Sequence, residues 1–401
     1  MLFDVSTVNS NNEVETWLYD SSNNDLWTPN GTLIERPEID EVKRSSKKSR
    51  LIGQVTIQLG LACNQKCVYC LQHQRENEEK PKSHADLHKL IDHLKTLQFM
   101  DNASIDLWGG EPLVYWKTIE KLIPMLREFL PSNARIYMTS NCTLLTREKV
   151  DFLQKYKVAL LLSHDGKFNL ITRGYELSKT AYDACLYLLD KYNPSNPFWM
   201  KFCYNSVITD YNADLSSHAE WMKKHFPGIE PLRQQPLFNI NESYVNKVRF
   251  TKTQLYVETS IDRYYNHGET RPFKNLLRRV ESDMTFKRKS NGVNSIGYRC
   301  GIFSPNYLCV DLNGNMLYCH NDLTAFGDLD HYESAVAKLP ETLDRKVCKN
   351  CVFNGLCKGG CPLHESVGDN CGYFPMYQVL FFIFMKEHFG VNVIGVKPHE
   401  V

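Results

Sequence analysis

Fourteen cysteines are spread unevenly over the 401 residues, and ten of them fall into two tight groups. Cys63, Cys67 and Cys70 stand within eight residues of one another. Cys300, Cys319, Cys348, Cys351, Cys357, Cys361 and Cys371 crowd a segment with little continuous apolar pattern. Such a segment needs a staple other than its own core, and metal is the one its residues offer. No charged n-region and apolar h-region open the chain, so it reads as cytoplasmic, where clustered thiols bind metal or act in catalysis. A formal net charge of +1 argues against a dedicated nucleic-acid partner. The longest apolar run, 376–385, is only half the ~20 residues that span a bilayer, so no membrane partner is expected.

Residues 1–50 are polar, but Trp17, Tyr19 and Trp27 predict a small hairpin there, either a cover or a peptide-binding element. From Leu51 a β/α alternation sets in. Strands are predicted over 54–60, 104–109, 135–141, 158–165 and 199–208, with a weaker sixth over 231–240. Leu87, Leu90, Ile91, Leu94 and Leu97 recur at helical spacing, as do Ile119, Leu122, Ile123, Leu126 and Phe129, and Tyr182, Cys185, Leu186 and Leu189. This alternation means βαβ units on a parallel sheet, too few to close an eight-fold barrel. In such sheets the functional loops gather at the carboxyl ends of the strands. A polar helical bridge over 241–299, a cysteine-rich domain over 300–375 and a closing helix and tail over 376–401 complete the expected organisation.

The first cysteine group, Cys63-x3-Cys67-x2-Cys70, follows directly on the first predicted strand of the alternation. Three thiolates on one loop can converge on a metal centre and leave one position open, and thiolates favour zinc or iron–sulfur clusters. With an aromatic residue, Tyr69, before the last cysteine, residues 51–240 resemble the radical S-adenosylmethionine (SAM) superfamily. The resemblance implies a partial (β/α)6 TIM-like barrel. It implies that the three cysteines hold a [4Fe-4S] cluster whose fourth iron chelates SAM, and that one electron cleaves SAM to a 5′-deoxyadenosyl radical. It also places SAM contacts at Gly109-Gly110-Glu111-Pro112, at Ser140-Asn141, at Ser163 and Asp165 within Ser-His-Asp-Gly, at Arg173, and at Tyr69 near the adenine. Glycines there allow close backbone approach, and the Glu111 carboxylate balances an ammonium group. Taken alone, Gly-Gly-Glu-Pro and Ser-Asn are ordinary strand-end turns.

Cys300-x13-Gly314-x4-Cys319, followed by Cys348-x2-Cys351-x5-Cys357-x3-Cys361-x9-Cys371, resembles the SPASM extension of radical SAM enzymes that modify peptides and proteins. A zinc ribbon is the plainer alternative. The resemblance implies two auxiliary [4Fe-4S] clusters, so three in all. The outer one is held by Cys348, Cys351, Cys357 and Cys371, the inner one by Cys300, Cys319 and Cys361. Asn294 occupies the place of a fourth inner ligand in some relatives, leaving either Cys309 or an open iron. The implied function is oxidative modification of a ribosomal precursor peptide carrying a leader, by an intramolecular carbon–carbon, ether or thioether cross-link. Electrons come from a flavodoxin- or ferredoxin-type donor. The alternatives are an anaerobic sulfatase-type maturase that forms formylglycine, or a non-catalytic electron-transfer or thiolate metal protein. Sulfatase maturases place an Asp after the second extension cysteine. Here His320 stands there with Asp322 two residues on, and both are candidate bases, His320 because an ordinary imidazole titrates near neutrality. The leader is expected on the amino-terminal hairpin or on the bridge that bears Arg278 and Arg279.

Overall fold

The computed structural model describes every residue except 41–45, 73–85, 192–196, 238–247, 290–300, 302–303, 339–347, 349, 362–370 and 401. Fifteen strands are present among the described residues: β1 Leu2–Val8, β2 Val14–Asp20, β3 Asp25–Trp27, β4 Glu38–Asp40, β5 Leu51–Gln58, β6 Gln98–Trp108, β7 Arg135–Ser140, β8 Val158–Ser163, β9 Cys203–Ile208, β10 Glu230–Pro236, β11 Lys287–Lys289, β12 Tyr307–Asp311, β13 Asn315–Cys319, β14 Asp322–Asp328 and β15 Asn392–Pro398. β5 to β10 lie side by side in chain order and pair in parallel throughout, which is the expected partial barrel. The crossovers carry the helices α1 Leu87–Lys95, α2 Trp116–Phe129, α3 Arg147–Lys155, α4 Asn169–Arg173, α5 Lys179–Lys191 and α6 Leu215–His225.

Alternation along the strands separates two faces. Val55, Ile57, Ile105, Leu107, Ile136, Met138, Leu160 and Leu162 pack with Leu90, Leu94, Ile119 and Leu122 of α1 and α2 in one apolar core. The opposite face carries Gln54, Thr56 and Gln58 on β5, Asp106 and Trp108 on β6, and Tyr137 on β7, so it is polar and open to chemistry.

The sheet does not stop at β5. β12 pairs with it in parallel, Cys309 beside Thr56, and β13 and β14 follow in antiparallel order. The cysteine-rich extension therefore begins as three further strands of the barrel sheet. Asn313-Gly314 makes the β12–β13 turn, with Gly314 at φ +85°.

Two helices, α7 Thr253–Asn266 and α8 Arg271–Thr285, follow the barrel. The closing helix α9, Tyr373–Phe389, is buried along most of its length. It packs with α7, α8 and a separate four-stranded sheet in the order β15-β1-β2-β3. The expected amino-terminal hairpin is thus joined by the last strand of the chain. Two predicted strands differ in extent. The one expected from 199 starts at Cys203, because Phe198–Met200 forms a helical turn after Pro197. The sixth ends at Pro236 as described, and 238–240 lie outside the described residues. Among the described residues no helix is long and apolar enough to cross a membrane.

Candidate functional site

β5 ends at Gln58, and the chain passes at once into the cysteine loop. The loop after β6 is laid against it: Gly110 N–H donates to the Gly60 carbonyl at 2.9 Å and Glu111 N–H to the Ala62 carbonyl at 3.0 Å. A Cβ on Gly110 would stand 2.4 Å from the Leu61 oxygen and 2.6 Å from that of Ala62. Gly109 and Gly110 therefore permit close approach to the backbone of the cysteine loop. Gly110→Ala is expected to push the loop away. The cost is about 1–3 kcal/mol of stability, as for other overpacked sites, read by urea denaturation together with a fall in bound iron.

Glu111 is 1% exposed and is held from three sides. Its carboxylate accepts from Ser140 Oγ at 2.6 Å, Asn141 N at 2.7 Å and Leu113 N at 2.9 Å. Burial pushes its carboxyl above the ordinary range, and these donors oppose the rise. Pro112 is buried at the start of the helical turn that follows. Asn141 Nδ2 donates to Asn64 Oδ1 at 3.0 Å, and Asn64 Nδ2 donates to Thr143 Oγ1 at 2.8 Å, so the end of β7 is tied to the cysteine loop as well. Cys142 takes φ +58°, the conformation a glycine would favour, so the β7 turn keeps a glycine-like course without a glycine.

Asp165 is a second buried hub. It accepts from Val207 N at 2.9 Å, Thr172 Oγ1 at 2.7 Å, Arg173 Nη2 at 3.0 Å and the Tyr69 hydroxyl. Burial alone would raise its carboxyl, but Arg173 and these hydroxyls outweigh burial and hold it below the ordinary range. Val68 N–H donates to the Thr172 carbonyl at 3.1 Å, and the Arg173 guanidinium lies 5.5 Å over the Tyr69 ring. α4 is thereby strapped to the cysteine loop.

Three of the expected cofactor contacts are buried in this network. Asp165 has no exposed surface, and Glu111 and Ser140 have 1% each. All three hold the loops together through the hydrogen bonds given above. Tyr69 is 9% exposed with its hydroxyl turned to Asp165. Ser163 and Arg173 keep room for one: Arg173 Nε is buried with no acceptor, and the Oδ1 of Asn205, the residue paired with Ser163, is buried with no donor. An orphan donor and an orphan acceptor fit a ligand carrying a carboxylate and a hydroxyl, as SAM does.

The three loop thiols are partly buried. Burial pushes Cys63 up to about 11 and Cys67 up to about 12, so each is protonated at neutral pH and a bound metal must displace the proton. Among the described residues no three Cys, His, Asp or Glu side chains form a group able to hold a single metal ion. A four-iron cubane takes each thiolate on a different iron and asks for a wider spacing. The donor set, sulfur without histidine or carboxylate, fits such a cluster.

The extension reaches back over the polar face. The His320 ring centroid lies 4.2 Å from that of Trp108. Its carbonyl accepts from two buried amides, Gln58 Nε2 at 2.8 Å and Gln72 Nε2 at 3.1 Å. Gln58 ends β5, Gln72 stands two residues after Cys70, and His320 follows Cys319, so one carbonyl joins the barrel, the cysteine loop and the extension. Burial of the ring, then the nearby Arg233 charge, lowers the His320 imidazole to about 4. Asp322 opens β14, and its side chain lies outside what is described.

Sequence reasoning missed Gln58, Gln72, Asn64, Asn205 and Arg233. The alternating Gln54, Thr56 and Gln58 was the available signal for the first of them. Gln72→Leu is expected to leave the cysteine loop less firmly tied, at about 0.5–1.5 kcal/mol because the His320 carbonyl keeps Gln58, read as a lower urea midpoint at unchanged slope.

Cys348, Cys351, Cys357 and Cys371 line one pocket of about 310 Å³. Cys361 is described beyond the turn Lys358-Gly359-Gly360, whereas Cys300 lies outside the described residues. Cys309 is 1% exposed and packs with Tyr307 and Leu317, as a small apolar residue does.

Residues 57–171 match the Radical SAM superfamily. The matched residues run from β5 to α4 and include the cysteine loop. Over 334 residues, 75% of this chain and 85% of the relative, it is 24% identical to the cysteine-type anaerobic sulfatase-maturating enzyme of Clostridium perfringens. A shorter match, 26% over 155 residues and 37% of this chain, is to an uncharacterised protein of Methanocaldococcus jannaschii and spans about half (51%) of that relative. Among solved structures, anSMEcpe with bound AdoMet and the Kp18Cys peptide superposes with TM-score 0.59 at 18% identity, over 83% of this chain and 97% of that one. SuiB of Streptococcus suis bound to S-adenosylmethionine gives 0.50 at 15%, over 78% and 73%. Both structures share the fold of the radical SAM domain and its extension.

Proposed function

We propose that this chain is a radical SAM maturase of the SPASM type, which oxidises a residue of a ribosomal precursor peptide and closes an intramolecular cross-link. The observation that carries the reading is the His320 carbonyl held by both Gln58 and Gln72, which sets the extension directly against the cysteine loop. When bound, the cluster and SAM supply a carbon radical that abstracts hydrogen, and auxiliary clusters supply an exit for the surplus electron. The chain's own residues do the rest. Cys63, Cys67 and Cys70 would hold the first cluster. The Glu111 and Asp165 hubs fix the loop that bears them. Arg173 Nε and Asn205 Oδ1 stand ready for a polar ligand. The polar sheet face from Gln54 to Tyr137 would receive the substrate residue, shielded from water by the extension. In the solved relative anSMEcpe a peptide is bound with AdoMet, which supports a peptide as substrate.

A sulfatase-type maturase is the second reading, favoured by the 24% identity with such an enzyme over three quarters of this chain. His320 in the place of an aspartate counts against it. The test is to incubate the reduced, iron-loaded enzyme and SAM with the short peptide encoded beside its gene, and separately with a cysteine peptide from a sulfatase. A product that has lost two hydrogens and carries no aldehyde supports the cross-link, and an aldehyde on the sulfatase peptide supports the second reading. For leader recognition, Arg278 and Arg279 are exposed on α8. Reversing both charges is expected to weaken leader binding in fluorescence titration, and unchanged affinity would remove α8 as its site.

A further inference from the structure

The pocket lined by Cys348, Cys351, Cys357 and Cys371 is not built by the extension alone. Phe3 of β1 and Val396 of β15 also line it, so both ends of the chain form part of its wall. The same sheet grips the loop between Cys351 and Cys357. Gly355 N–H donates to the Ser21 carbonyl at 2.8 Å, and Asn24 Nδ2 donates to the Gly355 carbonyl at 3.4 Å. A Cβ on Gly355 would stand 2.3 Å from Asn24 Oδ1 and 2.6 Å from the Ser21 oxygen, so only glycine lets the loop seat there. Asn24 is itself fixed: it is 7% exposed, and its Oδ1 accepts from the Tyr19 hydroxyl at 2.7 Å. The Tyr19 and Phe353 rings both pack on Phe381 of α9, at 5.2 and 5.8 Å. Four cysteines, an apolar wall and a fitted loop are what a buried cluster requires, since the surrounding shell controls solvent access and metal retention.

We propose that the terminal sheet is the cover of the outer iron–sulfur site. It holds the Cys351–Cys357 loop in place and keeps water and oxygen from the cluster. The assignment rests on the reading that this pocket binds the outer auxiliary cluster. It gives the first 27 residues a role in cofactor retention separate from any part in peptide binding.

The experiment compares the iron-loaded full chain with Gly355→Val, Phe3→Ala and Val396→Ala. Iron and sulfide content, cluster EPR after reduction, and the loss of visible absorbance in air are followed, and thermal melts of each protein report folding. In each folded variant, the outer cluster is expected to be lost about tenfold faster in air, in line with other shell substitutions. The signal of the Cys63–Cys70 cluster should persist. Wild type that binds only the iron of one or two clusters, with no effect of Cys348→Ala on iron, would overturn the underlying reading. Wild type with a full outer cluster and folded variants that bleach at the wild-type rate would overturn the cover alone. Phe3→Ala and Val396→Ala only shorten side chains, so they keep the test open if Gly355→Val fails to fold.

Discussion

Asp165→Ala is expected to destabilise the protein by about 3–5 kcal/mol, the usual cost of removing one partner from a buried ion pair. Asp165 has no exposed surface and Arg173 is 8% exposed, so the guanidinium would be left charged and unpaired inside. Thr172, Val207 and Tyr69 would lose their acceptor in the same step. The sign with pH follows from the depressed carboxyl. The pair's contribution is complete above the ordinary Asp range of about 4 and is lost as pH falls through the lower folded value. Urea denaturation at pH 7 measures the effect. A loss below about 1 kcal/mol would place Asp165 among surface-like pairs and undo its role as a hub.

Replacing Cys63, Cys67 and Cys70 together by alanine is expected to abolish SAM cleavage and lower bound iron by about four atoms per chain, one cubane. The change should leave the fold intact. The loop's backbone is held by Gly110, Glu111 and Thr172, and none of those hydrogen bonds uses a thiol. Near-ultraviolet circular dichroism checks the fold, and iron and sulfide assays check the count. An unchanged iron content would move the cluster elsewhere in the chain.

Much of the barrel was legible because its helices and strands carry strong periodic signals over short distances. α3 was not read, because only Val150 and Leu153 of its residues are buried and their spacing gives a faint stripe. β15 was not read either. None of its residues is buried, and its partner β1 lies at the other end of the chain. For the site, spacing alone found the cysteines, whose chemistry is local. The role of Asp165 as a hub was not legible, because its partners Tyr69 and Val207 lie 96 and 42 residues away, which no motif displays. At Gly110 the need for close approach was legible, but the loop after β5 as a neighbour was not. The packing of His320 on Trp108 was not legible either, because the two lie far apart in the chain.

SAM cleavage is expected at the Cys63–Cys70 loop. The most direct measurement is 5′-deoxyadenosine release by the anaerobically reconstituted, dithionite-reduced protein, beside the triple alanine variant. Release by wild type and none by the variant, with iron as the bound metal, is the predicted result. Zinc in place of iron, or release that survives the triple substitution, would contradict the account and leave a thiolate metal protein of a different kind.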